Sequence, residues 1–420
     1  MKKILVFQAP VFTASGYGSH ARDIAKVLFE LDEYDVKIAP TRWGMTPQNQ
    51  VDPKTEFGKR MIDSVVTGLD KRPEVYIQMS VPNEFRKMGH LNIGITAGTE
   101  TDKAPKEFIQ GINNMDLVIV PSEFTKDTFI TTYYEEKDPN TGRVVGQQVV
   151  RTPIITLFEG IDVETYGNTH PSDADPLEGV TEDFNFLICG HWLPGSIGQD
   201  RKDIGMTIKT IATVFRQMPK DKRPGIILKT SAGGYSVKDR ELIRKRIDAV
   251  LEPLGDDVPS VYLLHGDLTD KEMSNLYHHP KVKAMVSFTK GEGYGRPLAE
   301  FAMTGKPILV SKWSGHTDFL PEGNVIYLEG GLTEVDKSAA NKFILQESKW
   351  FTVNYTDAAN KLYDVYKSYD KALKKSAKLP DHMKKNFSME KMKNELKRIL
   401  KEKDDAPVLA PIKLPELPSK

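Results

Sequence analysis

The sequence predicts an α/β protein with two parallel sheets, and three observations carry that prediction. Short apolar runs alternate with stretches of helical period along most of the chain, as strand–helix–strand units do. A polar, acidic segment with two prolines, Gly167–Asp183, splits the alternation into two series of similar size. One strand-to-helix connection, Phe288-Thr-Lys-Gly-Glu-Gly-Tyr-Gly-Arg-Pro-Leu-Ala-Glu300, is glycine-rich and carries two glutamates eight positions apart. At 420 residues the chain is long enough for about two or three domains.

In the first series, strands are predicted at Ile4–Gln8, Val36–Ala39, Val75–Met79, Ile93–Ala97, Leu117–Val120 and Ile154–Leu157. Helical periodicity falls at Ser19–Leu31, Glu56–Thr67, Pro105–Asn113 and Ser122–Thr131, with Ser122 placed as an N-cap. The turn cluster Asp138-Pro-Asn-Thr-Gly142, between polar arms, reads Tyr133–Pro153 as an inserted hairpin. In the second series the strands are Phe184–Cys189, Ile226–Lys229, Val261–Leu264, Lys283–Phe288, Ile308–Ser311 and Val325–Leu328. Its helices are Asp203–Gln217, Val237–Leu251, Asp270–Tyr277 and Pro297–Thr304. Two further helical stretches, Asn354–Lys375 and Ser388–Lys403, precede a proline-rich tail, 404–420, expected to be extended or disordered.

Composition narrows the class. Basic and acidic side chains number 58 each, so no net charge draws the whole protein to nucleic acid or an acidic surface. Cys189 is the single cysteine, which rules out an internal disulfide and points to a reducing, cytoplasmic compartment. The apolar run after Lys2-Lys3 is too short for a signal peptide, and no run reaches membrane-span length. No zinc-like cluster surrounds His278-His279, and Asp173-Ala-Asp175 sits in the proline-bearing segment rather than after a strand, so no metal site is expected. The lysines between Lys371 and Lys403 read as a solvated helix face, the alternative being contact with a phosphate-bearing acceptor.

The chemistry concentrates at 282–300. Val282–Phe288 reads as a buried strand, and Gly291, Gly293 and Gly295 let the following backbone turn and approach a ligand. Pro297 suits the first turn of a helix, with Gly305 and Pro307 as its stop. Such a loop at a helix start suits phosphate. Glu292 lies in the loop, and Glu300 about one helical turn, roughly 5–6 Å, beyond it.

Glu292, Glu300, Gly305-Lys-Pro-Ile-Leu-Val-Ser311 and Ser314-Gly315-His316 together resemble the signature of retaining GT-B glycosyltransferases, the superfamily of glycogen and sucrose synthases. The resemblance implies an α/β, GT-B architecture of two Rossmann-like parallel-sheet domains facing a central cleft. It assigns 1–166 to an acceptor domain, 167–183 to a linker, 184–375 to a nucleotide-sugar donor domain, and 376–403 to a helix returning to the first domain. It also implies transfer of a sugar from a nucleotide diphosphate-sugar, with no metal and no resident cofactor. Glu292 would meet the donor sugar and Glu300 the ribose. Arg201 and Lys202 would neutralise the diphosphate, helped by the amides of Gly293, Tyr294 and Gly295, with Lys229 a further candidate. Gly266 and Leu268, in His265-Gly-Asp-Leu-Thr269, would line the base pocket. Gly16 and Gly18, in Ser15-Gly-Tyr-Gly-Ser19, would face the donor phosphates. A dinucleotide site is the lesser reading there, because seven residues separate Gly16 from the preceding strand. Glu100 would serve the acceptor side as a base, a hydroxyl ligand or a helix cap.

The chain is also similar in compactness and tail to glycosyltransferases of large tailed phages, which would place it in host cytoplasm and make hydroxymethylcytosine in DNA one acceptor. A nucleotide-sugar epimerase and a non-catalytic sugar-nucleotide-binding protein are the alternatives of other classes. Acceptor and oligomeric state stay open.

Overall fold

The computed structural model describes residues 2–172 and 174–404. Asp173 and residues 405–420, nearly all of the expected tail, lie outside them.

The first half contains β1 (Lys3–Ala9), α1 (Gly16–Leu31), β2 (Tyr34–Pro40), α2 (Glu56–Asp63), β3 (Val75–Met79), β4 (Leu91–Ile95), α3 (Lys106–Ile112), β5 (Leu117–Val120), α4 (Glu123–Thr131), β6 (Tyr134–Lys137), β7 (Val144–Gln148), β8 (Ile154–Thr156) and α5 (Val163–Tyr166). Six strands pair in parallel in the order β2-β1-β3-β4-β5-β8. All residues of β3 and β5 are buried, because helices cover both faces, and this is why those strands read as continuous apolar runs. β6 and β7 form the antiparallel hairpin expected from the 138–142 turn. The Ser15 side chain caps α1 by accepting the Gly18 N–H, and Asp32, at φ 53°, ends it.

The second half follows with β9 (Asn185–Cys189), α6 (Ile204–Phe215), β10 (Gly225–Lys229), α7 (Val237–Leu251), β11 (Val261–Leu264), α8 (Asp270–His278), β12 (Val282–Ser287), α9 (Arg296–Ala302), β13 (Ile308–Ser311) and β14 (Ile326–Leu328). These six strands are also parallel, ordered β11-β10-β9-β12-β13-β14. The order reverses between β9 and β12, which opens a crevice at their carboxyl ends. Thr269 caps α8 in a reciprocal box with Glu272.

The last part departs most from expectation. An antiparallel pair absent from the sequence reading, β15 (Gly330–Glu334) and β16 (Lys349–Val353), follows β14. The stretch expected as one helix is two, α10 (Tyr355–Lys367) and α11 (Tyr369–Ser376), because Ser368 leaves helical geometry at φ −126°, ψ 48°. α12 (Leu379–Asn386), with Pro380 in its first turn, was not expected, and α13 (Met389–Asp404) closes the described chain.

The passage between halves also moves. Leu157 belongs to the first core and Ile161 to the second, so the chain crosses at residues 158–160. The acidic segment expected as the joint lies on the second half, where Leu177 and Val180 are buried in the core. Its composition marks a solvated surface loop pinned by two apolar anchors. The return crossing runs alongside: the Ile161 N–H donates to Phe387 O and the Met389 N–H to Ile161 O. α13 then lays Met392, Leu396, Ile399 and Leu400 into the first core. Lys393 and Lys397 pair with Glu30 and Glu33 at its edge, so part of the lysine-rich face is a seam.

Leu396 is fully buried in that seam. Leu396→Ala is expected to lower stability by about 2–5 kcal/mol, whereas Lys397→Ala, which breaks only an exposed pair, costs less than about 1 kcal/mol. Parallel denaturant titrations read both, and equal effects would contradict this packing.

Candidate active site

A cleft of about 550 Å³ lies between the two sheets. Its walls come from the connections that follow strand carboxyl ends: Tyr17 in the first turn of α1 after β1, Glu100 after β4, Gly190 after β9, Ser231 after β10, Leu268 after β11 and Glu292 after β12. Both crevices therefore open onto one space.

Glu292 is the electrostatic centre. It is paired with Lys202 through Oε1 and with Arg201 Nη1 at 3.3 Å through Oε2. The Thr289 hydroxyl donates to Oε1 at 2.8 Å. Burial by itself raises this carboxyl, but Lys202, Arg201 and the hydrogen bonds outweigh it and hold it at about 2. Arg201 also reaches Glu100 of the first half, 3.6 Å away, and donates to Gly291 O at 2.9 Å. Burial alone would lower Arg201; Glu100 and Glu292 bring it above its ordinary value. Glu100, Glu292, Arg201 and Lys202, scattered over almost 200 residues, thus form one cluster.

The cluster stands on a buried frame. The Lys290 N–H donates to Arg201 O at 2.7 Å, and Lys290 Nζ lies 3.4 Å from Asp203, both side chains being essentially inaccessible. Tyr355 donates to the same carboxylate at 2.7 Å. Asp203 has φ 51° and Ser314, whose hydroxyl accepts the Glu292 N–H at 2.9 Å, has φ 82°. Non-glycine residues held there store strain, and these two flank the charge cluster. The frame continues outward: the Phe351 N–H donates to Lys290 O, while Lys349 and Asp102 exchange two hydrogen bonds, N–H to Oδ1 and N–H to O. The unexpected hairpin β15–β16 therefore ties the Arg201 loop to the Glu100 loop.

Glu300 projects from α9 into a drier corner. Tyr277 donates to Oε2 at 3.0 Å, and Arg296 Nε is 3.8 Å from Oε1. Burial raises this carboxyl to about 7 against the pull of Arg296. Arg296 lies in the motif but was not singled out from the sequence. It joins Asp23 of α1 at 2.8 Å and Glu159 of the crossing at 3.2 Å. Burial works against its charge, and Asp23, Glu159 and Glu300 together outweigh that. The position between two glutamates was its only local signal; Asp23 carried none.

The glycines need correction. Of Gly291, Gly293 and Gly295, only Gly295 takes a positive φ, 107°. A Cβ on Gly291 would collide with the Glu100 carbonyl oxygen, and one on Gly293 with that of Ala97. Their bareness admits the first half's backbone rather than a ligand. The Ser122 hydroxyl donates to Gly293 O at 2.6 Å across the same contact. Gly16, Leu268, Gly293, Gly295 and the Tyr294 backbone segment border the cleft, although the Tyr294 ring is buried against Phe319. Gly18 does not border it: it packs on Thr13. Gly266 stands just behind the wall, at φ 155°, its carbonyl receiving Lys229 Nζ at 2.6 Å. His278 and His279 bind the Tyr166 carbonyl and Asp175 respectively. Among the described residues no group of acidic, histidine and cysteine side chains is arranged to hold a metal, and no helix is long and apolar enough to cross a membrane.

No family profile and no curated protein matches this sequence. Solved structures do match in shape over nearly the whole chain. Sucrose-phosphate synthase of Thermosynechococcus elongatus has 12% identity and a TM-score of 0.62, covering 97% of this chain and 100% of its own. A glycosyltransferase of Rickettsia africae has 12% identity and a TM-score of 0.60, with coverages of 97% and 100%. Anabaena HepE, solved with UDP-glucose, has 13% identity and a TM-score of 0.59, covering 95% and 100%. The chain has the GT-B fold, and these structural neighbours are GT-B glycosyltransferases.

Two expectations follow from the geometry. Gly291→Ala must push the loop backbone at Glu100 away, so it lowers the melting temperature and enlarges the radius of gyration in small-angle scattering; an unaltered protein would contradict the tight approach. The glutamates act oppositely with pH. Glu292, held low, contributes stability above about pH 4.5 that is lost as pH falls toward 2. Glu300, held high, keeps a proton that the unfolded chain gives up, so its contribution declines as pH rises from about 4.5 to 7. Urea titrations of Glu300→Gln should show that decline flattened, and an unchanged slope counts against the buried corner.

Proposed function

We propose that this chain is a retaining glycosyltransferase that moves a sugar from a nucleotide diphosphate-sugar to an acceptor hydroxyl. The observation that carries the reading is the cluster of Arg201, Lys202 and Glu292 at the β9–β12 switch point, facing Glu100 across the cleft. Breaking a sugar–phosphate bond builds negative charge on the departing diphosphate. A guanidinium and an ammonium already fixed by buried partners stabilise that charge without reorganising. These two cations supply the stabilisation, and no metal is required for it. Glu292 binds hydroxyls of the donor sugar, and Glu300 those of the ribose. Gly293, Tyr294 and Gly295 lend amides beside the phosphates, Gly16 faces them from the first half, and Leu268 with the Gly266 segment borders the base. Glu100 stands on the acceptor side, where a carboxylate accepts a hydrogen bond from the incoming hydroxyl. Residues before the crossing at 158–160, together with α13, form the acceptor half, and the second sheet forms the donor half. Closure of the halves excludes water from the reacting centre. HepE was solved with UDP-glucose, which makes UDP-glucose the first donor to try; hexose and pentose donors on other bases follow.

Thermal melting against nucleotide sugars tests this directly. A ligand at a hundredfold excess over its Kd adds about 2.7 kcal/mol, so one nucleotide family should raise the midpoint visibly, and Glu300→Ala should weaken donor binding and shrink that rise. A flat response across the panel would refute the donor site. With an active pair in hand, Lys202→Ala is expected to lower kcat by about 100- to 1,000-fold, and proton NMR of the first-formed product should show the donor's anomeric configuration kept.

A further inference from the structure

We propose that Trp43 is the platform on which the cleft receives its acceptor, and that this acceptor is an uncharged pyranose unit. The inference rests on the donor reading above and names the substrate class of its other half. Trp43 lies in the connection between β2 and α2 and borders the cleft. Its indole stacks on the Tyr17 ring, with centroids 3.9 Å apart and planes inclined by 21°. Tyr17 is itself fixed: its hydroxyl accepts the Ala97 N–H at 2.9 Å and pairs with Thr96 Oγ1 at 3.0 Å. Ala97 stands three residues before Glu100 in the same loop. The indole is thus tied to the loop whose carboxylate meets the incoming hydroxyl.

The connection that carries Trp43 is pinned as well. The Thr41 N–H donates to Ala9 O at 3.0 Å, the Ala14 N–H to Pro47 O at 2.8 Å and the Gln50 N–H to Phe12 O at 3.2 Å. Gly44, at φ 53°, makes the turn, and Trp43 O accepts both the N–H and the hydroxyl of Thr46. The ring held in this way is only half-buried. A ligand that stacks on it has little side-chain freedom to freeze.

The surroundings select the ligand's chemistry. On the first-half wall Arg22 is the only lysine or arginine among the described residues bordering the cleft. Its guanidinium is engaged by Val11 O, Thr13 O and the Ser19 hydroxyl. The other lysines and arginines of the cleft stand on the second half, so this wall has no row of cations for a phosphate backbone, as a nucleic-acid acceptor would need. The polar groups that border the cleft from the Trp43 connection are neutral: Thr46, and Gln50, whose amide also donates to Asp267 of the second half at 2.7 Å. An aromatic platform accompanied by hydroxyl and amide groups suits a pyranose. Its C–H face covers the indole, and its hydroxyls both donate and accept.

Fluorine NMR of protein labelled with 5-fluorotryptophan tests this in the presence of UDP. Of the four tryptophans, Trp192 and Trp350 are buried, so Trp43→Phe, or Trp313→Phe if the first does not fold, assigns the two accessible signals. The probes are the methyl glycosides of glucose, galactose, mannose and N-acetylglucosamine at high millimolar concentration, and an oligonucleotide bearing 5-hydroxymethylcytosine. At least one glycoside is expected to move the Trp43 signal saturably and leave that of Trp313 in place. With an active donor–acceptor pair, Trp43→Ala should raise the acceptor KM roughly tenfold, the loss of a modest apolar contact, with kcat little changed and Trp43→Phe recovering most of the loss. No response to any glycoside, equal movement of both signals, or a response to the oligonucleotide alone would overturn the inference. The donor reading is scored separately: a melting rise with nucleotide sugar that persists in Trp43→Ala leaves it standing whatever the glycosides do, and a wild-type midpoint flat to every nucleotide sugar removes it and the acceptor role together.

Discussion

The close approach of the 290–295 loop to the 97–100 backbone is the constraint on which the site depends. Two glycines, Gly291 and Gly293, let carbonyls of the first half come within the space a side chain would occupy. That approach brings Glu100 to Arg201 and Ser122 to Gly293. The charge cluster thus belongs to neither half alone. It exists because the loops that follow β4 and β12 meet almost backbone to backbone.

Charge at such a seam is costly to bury, and the fold handles it by pairing. Arg201 and Lys202 share Glu292, Arg296 gathers Asp23 and Glu159, and Lys290 sits against Asp203. Each arrangement joins residues distant in sequence, so each also fixes the relative position of two loops. The hairpin β15–β16 extends this logic to the far side of the cleft, with Asp102 and Lys349 as the fastening. A ligand arriving here meets cations already oriented, and the cost of orienting them was met in folding.

Both sheets were legible because buried parallel strands must be continuous apolar runs, and the twelve that form them, from Ile4 to Leu328, each announce themselves. A cap was legible for the same local reason: Ser122 caps the helix it precedes. The joint between halves was not. A proline-bearing acidic stretch looks like a linker, yet two apolar anchors, Leu177 and Val180, seat it on the second core. The crossing runs through Phe158 and Gly160, which resemble any strand exit. β15 was missed because all five of its residues are exposed and show no buried face, and β16 because it is a five-residue run whose buried Trp350, Phe351 and Val353 do not alternate.

The chemistry divides along the same line. The sequence by itself determined which residue types stand at strand ends: two glutamates around a glycine-rich turn, a basic pair after a long loop, a carboxylate at Glu100. Those are local facts, set by spacing along one strand and one helix. Only the tertiary structure decided which of them meet and in what electrical state. Glu292 and Glu300, eight positions apart, end up at about 2 and about 7, because one faces Lys202 and Arg201 while the other is buried beside Tyr277. A carboxylate's charge is governed by neighbours within a few ångströms and by exclusion of water, and here those neighbours come from elements far away in the chain.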